Sequence, residues 1–173
     1  MKHRILPLLL LAALALPGTA AAATPAAVTN VSIRYDHPEK FTETREERSL
    51  APSRASDAYL KTLRTYMEQR AARMLPPGER LEIVVTDIDL AGSYEPWLGP
   101  RMQDVRIVKS IYPPRIDLRF RLLGADGQTL REGSRKLRDP GFLDSGIAAT
   151  RDGPLKYEKA LIDRWLRKGP DGL

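Results

Sequence analysis

The string Thr86-Asp87-Ile88-Asp89-Leu90-Ala91-Gly92 sets two carboxylates two positions apart. Alternate side chains of a strand share a face, so Asp87 and Asp89 should stand roughly 7 Å apart there. Acids at that separation can share a cation, or split their pKa values into a general acid and a general base. The chemistry would be that of a metal-dependent or paired-carboxylate hydrolase. The same placement also suits cross-strand ion pairs, since nearby segments supply Arg106, Arg115, Arg119 and Arg121. A calcium loop counted from Asp87 would need an oxygen ligand at its fifth position and a glutamate at its twelfth. Ala91 and Leu98 stand there, which excludes that loop.

Other catalytic equipment is sparse. The chain has no cysteine, which removes thiol nucleophiles, thiolate metal sites and disulfide frameworks. Its two histidines are His3, in an apolar leader, and His37, beside a proline in a charged stretch. Ser93 and Ser145 are nucleophiles by type, but no Gly-x-Ser-x-Gly elbow surrounds either. Neither a Walker A string nor Gly-x-Gly-x-x-Gly occurs, so no phosphate-cradling loop is expected. The sequence therefore assigns no catalytic residue, no metal ligand and no cofactor.

Two surfaces remain. From Ser93 to Asp104, Tyr94, Trp97, Leu98 and Met102 stand among glycine and prolines, as in loops that contact proteins or glycans. Trp97 could instead fold back and cap the core. Arg115, Arg119 and Arg121 share one face of a strand, where they could dock an anionic polymer or simply be solvated.

The first 23 residues have the layout of a secretory signal. Met1-Lys2-His3-Arg4 is a basic start, Ile5 to Leu16 is apolar, and Ala21 and Ala23 supply the small side chains for cleavage before Thr24. The apolar run is shorter than the ~20 residues that span a bilayer. A periplasmic protein with no stable membrane insertion after cleavage is expected. The net charge is +6, and the leader's Lys2 and Arg4 carry two of those charges. The remainder is weak footing for nucleic acid, so the expected partner is an envelope protein or an anionic cell-wall component.

With 173 residues, 42% of them hydrophobic, the chain suits one folded domain. Residues 24 to 30 read as a flexible N-terminus, 31 to 168 as the domain, and 169 to 173 as a flexible tail. Val31 to Tyr35 alternates like a half-buried strand. Asp36 to Pro52, dense in charge and interrupted by Pro38, reads as a long surface loop. Leu60, Leu63, Met67, Ala71 and Met74 trace a helical stripe from Ser56 as N-cap, ended by Pro76-Pro77-Gly78. Leu81 to Leu90 is apolar at both parities, which predicts a central strand with two apolar faces.

Val105 to Ile111 resumes a strand pattern. Ile116, Leu118, Phe120 and Leu122 then alternate with charged residues in an amphipathic strand. Gly124 to Gly127 suits a hairpin turn, followed by a polar edge strand with Gly133 as its bulge. Pro154 opens a last helix aligning Tyr157, Leu161 and Trp165. The order predicts an α+β fold. A mainly antiparallel sheet of four to five strands carries one long helix on a face and a C-terminal helix at an edge or end. The first strand, helix and second strand would form a crossover that leaves those two strands parallel.

The chain resembles the bacterial family known as domain of unknown function 3016 (DUF3016). The likeness lies in Thr86 to Gly92, in Pro113-Pro114-Arg115-Ile116, in Arg135-Lys136-Leu137-Arg138-Asp139, and in Tyr157-Glu158-Lys159 with Trp165. The resemblance implies an exported, single-domain envelope protein, and it carries no established activity or site residue with it.

Overall fold

The computed structural model describes residues 30–51, 57–144, 146 and 153–173. The expected leader, residues 24–29, Ser56 and Ser145 lie outside the described residues. Nine elements matter for function. They are β1 (Val31–Tyr35), α1 (Thr42–Leu50), α2 (Ala58–Ala72), β2 (Arg80–Asp89), β3 (Ser93–Tyr94), β4 (Arg106–Ile107), β5 (Arg115–Leu123), β6 (Thr129–Arg138) and α3 (Lys156–Leu166). Among the described residues no helix is long and apolar enough to cross a membrane.

Alternation builds the sheet, whose strand order is β1-β2-β5-β6. β1 is parallel to β2, as the crossover requires, and the other pairs are antiparallel. Ile83, Val85, Leu118 and Phe120 turn to one face and meet Leu63, Met67 and Ala71 of α2. Leu161, Ile162 and Trp165 of α3 close the same core. Each such side chain contributes roughly 1.5–3 kcal/mol when fully covered. The two helices are also joined through Asp163, which accepts from Tyr66 Oη at 2.8 Å and Arg70 Nε at 2.7 Å. The molecule is thus a single α+β domain.

Several local expectations are corrected. The charged stretch after β1 is no loop: Pro38–Lys40 form a 3-10 turn and α1 follows. Its buried face is Glu43 and Thr44 rather than an apolar stripe, so hydrophobic periodicity could not reveal it. β2 is central, but its second face is not apolar in the expected way. A register shift between Val85 and Asp87 inserts Thr86 and returns Ile88 to the core side, opposite Ile116.

The expected strand from Val105 shrinks to β4, which pairs only with β3 in a separate ribbon. In β6 the irregularity lies at Leu130, between the pairs Leu122–Arg131 and Leu123–Thr129, and not at Gly133. Gly133 sits opposite Phe120, where a Cβ would come within 3.3 Å of the ring. α3 begins at Lys156, after Leu155 at φ 60°, rather than at Pro154. The tail is docked as well. Leu173 is buried, and Arg131 Nη1 donates to the carbonyl of Asp171 at 2.6 Å and to a carboxylate oxygen of Leu173 at 3.3 Å.

Candidate functional site

Asp87 and Asp89 leave β2 beside one another but serve different partners. Thr42 opens α1, and its N-cap Phe41 has no side-chain cap of its own. The Thr42 N–H donates to Asp87 Oδ1 at 2.7 Å and its hydroxyl to Oδ2 at 2.8 Å. Asp87 therefore caps a helix distant in sequence, where a carboxylate meets free N–H groups and the positive end of the dipole. Asp89 pairs with Arg115, Nε to Oδ2 at 3.1 Å. Burial raises the Asp89 pKa and the Arg115 guanidinium opposes that rise. Both acids are thus engaged within the fold, Asp87 by α1 and Asp89 by β5. Among the described residues no three His, Cys, Asp or Glu side chains are grouped to hold a metal ion.

Beyond β2 the chain leaves the sheet as a loop running to Tyr112, and buried acids tie its root to the body. Glu43, fully buried on α1, accepts from the Leu90 N–H at 3.1 Å and pairs with Arg106. Burial pushes the Glu43 carboxyl up to about 7, against the pull of Arg106. Arg106 also donates to the Gly92 carbonyl at 2.9 Å and lies 4.6 Å from the centre of the Tyr94 ring. Glu158 of α3 accepts from the Ala91 N–H at 2.7 Å, and burial raises its pKa. Glu46 accepts from the Ser93 hydroxyl, so that candidate nucleophile is bonded to a carboxylate. His37 is on an exposed turn beside Glu39.

Gly92 makes the ribbon possible. It takes φ 88°, and a Cβ there would sit 2.8 Å from the Ile107 carbonyl oxygen. Farther out, Glu95 accepts from Lys109 Nζ at 2.7 Å and from Tyr112 Oη at 2.9 Å. The Lys109 hydrogen bond holds the Glu95 pKa below the usual carboxylate range.

A family model described as Protein of unknown function (DUF3016) matches residues 29–168. The chain belongs to that family. No curated protein and no solved structure matches it. Three of the four segments that resemble DUF3016 meet at the end of β2, through the Asp89–Arg115 pair and the Ala91–Glu158 bond. The fourth ends in Asp139, which accepts from Arg164 of α3 at 2.8 Å.

The loop tip is a different surface. Trp97 is 69% exposed and Ile111 68%, so the tryptophan does not cap the core. Leu98, Val105 and Val108 are exposed with them, and Met102 is half-buried. Tyr94, grouped with Trp97 by sequence, is buried against Arg106 instead.

The arginine row is charge-matched. Arg115 faces Asp89, Arg119 faces Asp36 at 3.0 Å, and Arg121 faces Glu82 at 2.7 Å. Sequence reading missed Glu43, Glu46, Arg106 and Glu158 as a group. The one usable signal was the spacing of Glu43 and Glu46, three apart and so on neighbouring turns of a helix.

Proposed function

We propose that the protein is an exported, non-catalytic binding module of the cell envelope, with the apolar tip of the 93–112 loop as its contact surface. One observation carries this reading. Among the described residues, five of the seven exposed large apolar side chains lie between Trp97 and Ile111. Such residues scattered singly need no explanation, whereas a concentration marks a contact site.

The loop's construction supports the same reading. Its root is fixed by Glu43, Glu46 and Glu158, so less ordering entropy is lost when a partner binds. Two of its three cations are matched at home, Lys109 by Glu95 and Arg106 by Glu43. That favours an apolar protein surface over a polyanion. An anionic polymer on the Arg115, Arg119 and Arg121 face draws less support, because each arginine already faces a carboxylate.

The test is a photo-reactive benzoylphenylalanine in place of Trp97, irradiated in intact cells. One discrete envelope adduct is expected, and Ile111→Asp should abolish it. No adduct, or one indifferent to Ile111→Asp, would overturn the reading. Sequencing the N-terminus of periplasmic protein should begin at Thr24.

A further inference from the structure

The sheet has two outer edges of different character. β6 carries Arg131, Glu132, Arg135, Lys136 and Arg138 and an irregularity at Leu130, features that discourage pairing with another strand. β1 is shorter and less guarded. The Leu81 N–H donates to the Asn30 carbonyl at 2.8 Å, and the Asp36 N–H to the Val85 carbonyl at 2.9 Å. A parallel ladder repeats every two residues, so Ser32 and Arg34 also turn their main chain toward β2. Val31, Ile33 and Tyr35 turn theirs outward. Among the described residues nothing bonds those outward N–H and C=O groups.

A groove follows this edge beneath α2. Its larger part, about 720 Å³, has Ile33, Tyr35 and Leu60 as an apolar floor with Lys61 and Arg64 over it. Arg34 also reaches its lining, although it alternates to the other face of β1, where it shares a cleft with Glu82 and Glu132. The one acid lining the larger part is Asp57. A smaller part, about 260 Å³, continues past Val31, Thr65 and Ala72 and brings in a second acid, Glu68. Among the described residues Arg34, Lys61 and Arg64 form no salt bridge, in contrast to the matched arginines of β5. Arg64 lies over the Tyr35 ring at 5.0 Å from its centre. Positive charge therefore exceeds negative at the Tyr35 end of a strand that is bonded on one side only.

We propose that the β1 edge is a strand-addition site for an extended peptide of about the length of β1, five residues, with a carboxylate at the Tyr35 end. Main-chain bonds to Val31, Ile33 and Tyr35 supply affinity, and the cations select the acid. A second copy fits worse. Antiparallel pairing of two β1 strands would set Asn30 and Val31, not an acid, against the cationic end. The carboxylate can belong to a side chain or to a peptide C-terminus.

The probe is a synthetic library of seven-residue peptides with free C-termini, screened against the whole protein. Binders should alternate β-branched residues and weaken at least tenfold against Lys61→Glu or Arg64→Glu, while Arg48→Glu, on α1, leaves them unchanged. Amidating the C-terminus, or replacing the peptide's acid by its amide, identifies which carboxylate is read. Amide exchange at Val31, Ile33 and Tyr35 should be fast in the free protein and slow at least tenfold with peptide. Three results would overturn the proposal: no binder in the library, binders that protect other amides, or slow exchange at those three positions in the free protein. The last would mean that another segment or a second copy already covers the edge.

Discussion

The sheet under α2 and α3 and the loop from Leu90 to Tyr112 are held by opposite means. In the body, Leu63, Met67, Leu81, Ile88 and Ile162 are fully covered, and the attraction is non-directional burial of apolar area. In the loop, main-chain groups of Leu90, Ala91 and Gly92 are met by Glu43, Glu158 and Arg106. Such ties add little net stability after desolvation, yet they admit few alternative positions. Apolar burial makes the body stable, and polar contacts decide where the loop goes.

The largest expected effect belongs to the body. Leu63→Ala should lower unfolding free energy by about 4 kcal/mol in urea titrations, through lost transfer energy and the cavity left behind. The loss should be equal at acid and neutral pH. A marked pH dependence would break the contrast.

The loop should show the opposite signature. Glu43 titrates at about 7 in the fold against an ordinary 4.5, so the folded chain takes up that proton first as pH falls. Its contribution is fully present below the unfolded value and is lost as pH rises through the folded one, a difference on the order of 3 kcal/mol. Glu43→Gln mimics the protonated form. It should exceed the wild type in stability at pH of about 8 and match it below about 4.5. Parallel urea profiles for the two proteins would remove Glu43 from the account.

Smaller effects sharpen the boundary between the regions. Asp87→Ala should cost about 1 kcal/mol by uncapping α1. Hydrogen exchange should quicken at Thr42 and Glu43 while the α2 amides stay protected. Arg119→Ala should change stability by less than about 0.5 kcal/mol, because its pair with Asp36 is exposed and screened. A larger loss in urea would mean that the arginine row is structural.

Legibility in the sequence followed the same division. The α2 stripe and the alternation of β5 were readable because apolar burial leaves a period in the chain. α1 was not, since its one buried face is a glutamate and a threonine that look like surface residues. The bulge at Thr86 was hidden too. Inserting one residue changes which parity faces the core, and that choice is made by the pairing with β5. The exposure of Trp97 could not be decided from residue type, because a tryptophan suits a core and a contact surface equally.

By itself the sequence determined the α+β class, the placement of α2 on the sheet and the absence of thiol chemistry, and it allowed the parallel first pair of strands. Hydrophobic period and residue inventory are properties of the chain. Only the tertiary structure decided what the charges do. It sent Asp87 to a helix cap and Asp89 to Arg115, buried Glu43 and Glu158 beneath the loop, and among the described residues left Arg34, Lys61 and Arg64 without a salt bridge beside the outer edge of β1. A charge acts over a few ångströms on whatever the fold brings near it, and spacing along the chain carries no record of that neighbour.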